Sequence, residues 1–451
     1  MMKRFFIIAT MSTAFFSAVT AQPAVKLITL DPGHFHAALV QKSMYPQVDP
    51  VVHVYAPAGN DVQMHLDKIN GYNNDAKNPT RWKEEVYRGA DYFEKMLQEK
   101  KGNVVVLAGN NRLKTDYILR SIQAGFNVFA DKPMVINEKG FNQLKQAFTV
   151  AKQKNLQLYD IMTERYEITT MLQRALSMEK DVFGVLQKGT VDNPAVTKES
   201  VHHFNKYVSG SVLTRPAWFF DVEQEGEGIV DVTTHLVDLV QWECFPGQVI
   251  DYVKDIQIKQ SKSWPTAISK AQFTEVTKEA AVPAYLQKIA DKNGALQVMC
   301  NGAFDYTIKG VHARVSVIWN YKAPEGTGDT HYSIMRGTKA NLVIRQGAEQ
   351  QYKPALYVEP ALMNADTEKN LRAAIAKINQ QFKGVDLKKT DKGWEVIIPD
   401  QYKEGHESHF ARVTEKYLDY LANHNMPAWE VPNMIAKYYT TTQARKMAAK
   451  K

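Results

Sequence analysis

The apolar run Val104-Val105-Val106-Leu107-Ala108 and the later stretch Ala124-Gly125-Phe126-Asn127-Val128-Phe129-Ala130-Asp131-Lys132-Pro133 constrain this chain most. They read as a strand, a helix and a second strand that ends on an acid, a lysine and a proline. Parallel α/β sheets keep their chemistry at that end of a strand. Proline lacks an N–H and pushes the residue before it out of the helical region, which places Lys132 on extended backbone at the sheet's carboxyl edge. A lysine held there is a candidate acid/base.

Residues 25–30 form a β-rich run punctuated by Asp31-Pro32-Gly33, and 36–42 have helical character. A strand at 51–55, a helix around 82–100, a strand at 104–108, a helix at 113–124, a strand at 126–130, a helix at 139–154 and a strand at 156–161 follow. This alternation predicts an N-terminal Rossmann-like, doubly wound parallel sheet over residues 22–160, in an α/β protein. Residues 161–451 differ. The runs 296–308, 311–321, 330–336 and 341–344 are separated by turn signals such as Lys309-Gly310 and Pro324-Glu325-Gly326. They predict an α+β domain with a large, mostly antiparallel open sheet. Its helices are expected at 234–242, around 366–383 and at 409–423, with insertions at about 251–293 and 350–399.

Lys3 and Arg4 precede an apolar stretch, and Val19-Thr20-Ala21 supplies small residues before Gln22. Residues 1–21 read as a secretory signal peptide, so the mature protein is expected in the periplasm or secreted. A membrane anchor needs about 20 apolar residues; this run is shorter and is broken by Thr10, Ser12, Thr13 and Ser17. No membrane span is expected after cleavage. Losing Lys3 and Arg4 lowers the formal charge from +8 to +6. That charge is spread without a basic block, so there is no case for nucleic acid. The two cysteines, Cys244 and Cys300, are free to bridge in an oxidising compartment if their geometry allows it.

A second constellation is Gly226-Glu227-Gly228-Ile229-Val230-Asp231-Val232-Thr233-Thr234-His235-Leu236-Val237-Asp238. If helical, it puts Asp231, His235 and Asp238 on one face. An aspartate and a histidine one turn apart suit a proton-transfer pair in which the carboxylate fixes the imidazole tautomer. A capping aspartate beside a core histidine uses the same spacing. A metal site suits it less, and no metal is assigned.

Together these motifs resemble the glucose–fructose oxidoreductase, inositol dehydrogenase and MocA (Gfo/Idh/MocA) family. Glu164-Arg165-Tyr166, Arg336-Gly337-Thr338-Lys339 and a closing helix with His409-Phe410 extend the match along nearly the whole mature chain. The resemblance implies a nicotinamide cofactor, NAD or NADP, with Lys132, Asp231 and His235 lining its substrate pocket. Gly33, His34, Phe35, Asn110, Asn111, Asp131, Lys132 and Pro133 are the expected cofactor-binding positions. Oxidising a sugar hydroxyl requires loss of its proton as hydride leaves carbon. His235 is therefore read as the acid/base, Lys132 as alkoxide stabiliser or alternate base, and Asp231 as orienting His235 or the substrate.

Two departures stand out. The family's Gly-x-Gly-x-x-Gly becomes Ile28, Leu30 and Gly33, so the phosphate turn is built differently, and Tyr55-Ala56-Pro57 replaces the acid expected after the second strand. His34 and His36 are either cofactor contacts or turn and packing residues. Adjacent strand residues face opposite ways, so one of His202 and His203 is expected to face the pocket. His203 is favoured, with Lys206 and Trp218 as further sugar-binding groups.

The leading expectation is a sugar, cyclitol or glycoside oxidoreductase. Outside the cytoplasm it would need a tightly held, recycled cofactor. The alternatives are a redox-neutral glycoside-cleaving enzyme and a cofactor-free carbohydrate-binding protein. A homo-oligomer through the C-terminal sheet is also expected.

Overall fold

The computed structural model describes residues 25–208 and 211–450. The segment read as a signal peptide lies outside them. In chain order the first part runs β1 (Leu27–Leu30), α1 (His36–Leu39), β2 (Val51–Ala56), α2 (Asn60–Asn73), β3 (Lys83–Arg88), α3 (Tyr92–Glu99), β4 (Val104–Leu107), α4 (Asn111–Ala124), β5 (Asn127–Asp131), α5 (Glu138–Lys154) and β6 (Leu158–Ile161). The strands form one parallel sheet in the order β3-β2-β1-β4-β5-β6. The order reverses between β1 and β4, which opens a crevice at their carboxyl ends. β1, β4 and β6 are buried at every residue, and β4, Val-Val-Val-Leu, reads as a continuous apolar run.

The helix expected around 82–100 is corrected. Lys83–Arg88 is a strand, and only Tyr92–Glu99 is helical. The strand is the mostly exposed edge of the sheet, pairing with β2 alone. Its exposed, charged residues carry no alternating apolar pattern that would mark a strand.

The second part comprises α6 (Ile168–Ser177), β7 (Val196–Asn205), β8 (Tyr207–Val208), β9 (Ser211–Val212), α7 (Thr233–Cys244), β10 (Ile256–Ile268), α8 (Lys270–Thr277), β11 (Leu296–Ile308), β12 (Val311–Lys322), β13 (Thr330–Arg336), β14 (Ala340–Arg345), β15 (Ala355–Pro360), α9 (Ala365–Ile378), β16 (Asp386–Thr390), β17 (Gly393–Ile397), α10 (His406–Asn423) and α11 (Glu430–Ala448). Nine strands form one sheet, β10-β11-β12-β7-β13-β14-β15-β17-β16, antiparallel except where β12 meets β7. The stretches 251–293 and 350–399, expected as insertions, supply strands toward its two edges. Along β12, Val311, Ala313, Val315, Val317 and Trp319 are buried and alternate with more exposed residues. One face is thus packed, partly by Leu236, Val237 and Val240 of α7. Each such aliphatic side chain contributes roughly 1.5–3 kcal/mol on burial.

The chain's end returns to the first sheet. Phe410, Val413 and Tyr417 of α10 join its core, and Tyr417 stacks on Phe129 of β5 with ring centroids 4.4 Å apart. Residues 161–451, read as one domain, therefore divide their packing between both sheets. A buried charge network locks the junction. Arg165 grips Asp238 at 2.6 and 2.7 Å and Glu430 at 3.0 Å. Lys437 bridges Asp160 at 2.7 Å and Asp238 at 2.8 Å. Cys244 and Cys300 are both free thiols. Among the described residues no helix is long and apolar enough to cross a membrane.

Candidate active site

The two domains meet over a cleft of about 700 Å³ at the carboxyl edge of the first sheet. Lys132 enters it directly from the end of β5. Asp231 arrives through the Gly-Glu-Gly turn before α7. A Cβ on Gly228 would stand 1.7 Å from the Cys300 carbonyl oxygen of β11, so only glycine lets this turn lie on the strand. Lys132 Nζ donates to Asp231 Oδ1 in a close ion pair whose side chains are 11% and 6% exposed. Burial opposes the lysine's charge, but the carboxylates of Asp231, Asp131 and Glu225 outweigh it and hold the pKa above the usual lysine range. His235 also lines the cleft. Burial, reinforced by the Lys132 charge, pushes its pKa well below that of a free imidazole.

The Asp231–His235 pairing expected from sequence is corrected. Asp231 precedes α7 and pairs with Lys132, while His235 Nδ1 is buried without a hydrogen-bond partner among the described residues. Asp238 points into the Arg165–Lys437 network, away from any shared catalytic face.

The opposite wall comes from β7 and the segment before β13. His202 lines the cleft, with Nδ1 2.9 Å from Asp329 Oδ2, and Lys206 pairs closely with the same carboxylate. His203, the favoured residue, is 4% exposed and lies off the cleft wall. The strand's phase is opposite to that expected. Trp218 is also corrected: its Nε1 donates to Asp61 Oδ2 at 2.7 Å, and it packs in an aromatic core with Phe204 and Phe220. It ties the domains together and presents no stacking face to the cleft.

Several cleft groups were not singled out from sequence. Glu164 lines it, and burial with neighbouring Glu167 pushes its carboxyl up to about 7, against the pull of Lys132 and Lys206. Glu225, Arg215 and His406 line it as well. His406 and His409, three residues apart, are within reach of one helix face; the helix expected to start at 409 begins at His406, after Gly405.

His34, Phe35 and His36 line the cleft beside Lys132. Asp131 is 2% exposed and approached by both imidazoles. Asn110, Asn111 and Pro133 lie off the wall. Asn110 caps α4 and bonds Gln224, and Asn111 donates to the Glu225 carbonyl at 2.7 Å.

In a Rossmann sheet the first turn offers backbone amides to a pyrophosphate. Here the Gly33 and His34 amides both go to the Ala108 carbonyl, at 3.3 and 3.1 Å, and α1 has four residues. A Cβ on Gly33 would stand 2.9 Å from Asp61 Oδ2 and 3.1 Å from Trp218. The turn at Gly33 thus bonds its amides within the protein. Room continues beside it in a cavity of about 510 Å³, lined by Gly33, Asp61, His65 and Lys68 and sharing His34, Phe35 and Arg215 with the cleft. Both ring nitrogens of His65 are buried without partners among the described residues. The two cavities and this orphaned imidazole fit a dinucleotide.

Residues 33–160 match the model of the oxidoreductase family with an NAD-binding Rossmann fold, GFO_IDH_MocA. Residues 172–449 match the model described as "Putative oxidoreductase C terminal domain". The chain belongs to the Gfo/Idh/MocA oxidoreductase family. A "putative oxidoreductase" from Parabacteroides merdae shares 58% identity over 95% of this chain and 99% of that one, with a TM-score of 0.93. At the level of the fold alone, the chain is similar to levoglucosan dehydrogenase solved with NADH and levoglucosan. The identity is 12%, over 94% of this chain and 97% of that one, with a TM-score of 0.58. KijD10, a 3-ketoreductase from Actinomadura kijaniata solved with NADP and TDP-benzene, gives 12%, 94%, 97% and 0.55 in the same order. No curated protein matches the chain.

Proposed function

We propose that this chain oxidises a secondary hydroxyl of a sugar, cyclitol or glycoside with a tightly held NAD or NADP, and returns the hydride to a carbonyl on the same enzyme. The observation that carries this reading is the Lys132–Asp231 pair. It brings one residue from each domain to one cleft, with His235 beside it. Levoglucosan dehydrogenase, a neighbour of the same fold solved with levoglucosan, supports the substrate class.

When bound, the nicotinamide supplies the hydride acceptor. Lys132, kept protonated by Asp231, donates a hydrogen bond to the reacting oxygen and stabilises it as alkoxide. Neutral His235 accepts the hydroxyl proton. Burial and the nearby lysine charge disfavour imidazolium, so His235 readily returns this proton to the carbonyl oxygen that receives the hydride. His202, Lys206 and Asp329 offer donors and an acceptor to the remaining hydroxyls.

Glu164 favours a second reading, oxidation followed by elimination of a glycosidic leaving group. A cleft carboxyl with its pKa raised to about 7 stays partly protonated at neutral pH and can protonate a departing oxygen. Incubating the protein with a glycoside and a keto-sugar acceptor tests both. Acceptor reduction without aglycone release supports the first, and aglycone release without net redox supports the second. If neither occurs, even with added NAD and NADP, the reading fails.

A further inference from the structure

His34, His36 and Asp131 converge beside the cleft, and the redox chemistry above leaves them unused. Asp131 Oδ2 lies 2.9 Å from His36 Nδ1 and 3.3 Å from His34 Nδ1. One donor atom from each residue lies within 4.8 Å of the others. Ligands held about 2.0–2.1 Å from a first-row divalent ion stand about 3.3 Å apart in a tetrahedron and about 2.9 Å apart in an octahedron. The two carboxylate–imidazole distances match these spacings, and the third pair of donors lies within 4.8 Å.

The protein does not satisfy these groups by itself. His34 Nδ1 and Asp131 Oδ1 are buried without hydrogen-bond partners among the described residues, and Asp131 is 2% exposed. A simple pair in which His36 donates to Asp131 leaves both atoms unanswered, at the cost of buried, unsatisfied polar groups. His36 is also held from its far side, its Nε2 lying 3.2 Å from His406 Nε2. With Nε2–H donating to His406, Nδ1 turns a lone pair toward Asp131. A metal-ligating histidine is oriented by its second nitrogen in this way. Of the two ammonium groups that act on Asp131, Lys132 is paired with Asp231, and Lys114 donates to the Asp131 backbone carbonyl at 3.3 Å.

We propose that His34, His36 and Asp131 bind one divalent transition-metal ion of the zinc type. Two imidazoles and a carboxylate favour zinc over magnesium, which prefers oxygen ligands. Three protein ligands leave a coordination position open. His34 and His36 line the cleft, so that position takes an oxygen of whatever occupies it.

The purified full chain, stripped with a chelator and desalted, is titrated with Zn²⁺ alone and with Mg²⁺ alone by calorimetry, and its metal content is measured after gel filtration. The expected result is one Zn²⁺ per chain, no Mg²⁺ binding, and zinc affinity about 100-fold weaker in His34→Ala and His36→Ala. No stoichiometric zinc in the wild type overturns the proposal whatever the variants do. So does zinc binding undiminished in both variants. Circular dichroism and thermal melts identify a variant that has lost its fold, and the wild-type titration stands without it. The experiment uses neither dinucleotide nor sugar, so its failure leaves the oxidoreductase reading untouched.

Discussion

Around Arg165 every buried charge answers another. Asp238 and Glu430 take its guanidinium, and Lys437 closes the ring through Asp160 and Asp238. Around Lys132 the same kinds of residue are left unfinished. Asp131 Oδ1, His34 Nδ1 and His235 Nδ1 lack partners among the described residues, and the carboxyl of Glu164 is pushed up to about 7. A satisfied network holds one geometry. An unsatisfied one in a cleft is kept for something that enters it. The same residue types thus close a network at the domain junction and leave polar atoms open at the sheet edge, where the proposed chemistry takes place.

The largest expected difference between the two is in stability. Asp238→Ala leaves Arg165 with Glu430 alone and Lys437 with Asp160 alone, an excess of buried positive charge that should cost about 3 kcal/mol in chemical denaturation. Asp231→Ala, at the cleft where water enters, should cost clearly less. Equal losses would erase the distinction. The acid limb follows the same logic. Burial would raise the Asp238 carboxyl, but Arg165 and Lys437 outweigh it and hold its pKa below the usual range. Its stabilisation is therefore complete above about pH 4, the ordinary aspartate value, and is lost as pH falls toward the depressed one. Acid unfolding followed by fluorescence should be less steep in Asp238→Asn.

Next comes catalysis. Lys132→Ala and His235→Ala should each lower turnover by roughly 100-fold or more, with the protein still folded. Near-normal rates in both variants would remove them from the chemistry. Glu164 gives a smaller effect. A carboxyl raised from 4.5 to about 7 favours the folded state when protonated, so that contribution is present below its ordinary value and lost as pH rises through about 7. Lys132, Lys206, Glu167 and Asp329 act on the same group. Glu164→Gln should flatten the pH dependence of both stability and rate across that interval. An unchanged profile would assign the limb elsewhere. Trp218→Phe should have the smallest effect, about 1 kcal/mol of stability from the lost bond to Asp61, with sugar turnover near wild type. A large rise in KM would restore the stacking role.

The parallel sheet was legible because β4 is a continuous apolar run and β5 is apolar between Asn127 and Asp131, and the Asp131-Lys132-Pro133 and Gly226 to Asp238 motifs mark the strand end and helix start that meet in the cleft. What failed was phase and partnership. β3 hid behind its charges as an exposed edge strand, and no pattern in Val201 to Lys206 tells which histidine turns inward. Asp231 seemed tied to His235 by helical spacing, yet its partner comes from the other domain, a contact that local periodicity does not encode. Trp218 looked like a sugar platform until Asp61 claimed its indole N–H. His406 was missed because its helix was started one turn late.

The account rests on a nicotinamide cofactor held in the cleft at Lys132. The direct test is to dialyse the purified full chain without added cofactor, denature one portion, and identify by mass what it releases. A second portion is mixed with pyranoses, cyclitols and glycosides while reduced-nicotinamide absorbance is followed. The account predicts release of NAD or NADP and a sugar-dependent absorbance change limited to the bound cofactor, absent in Lys132→Ala. A chain that releases no dinucleotide, and binds neither NAD nor NADP when they are supplied, would contradict it.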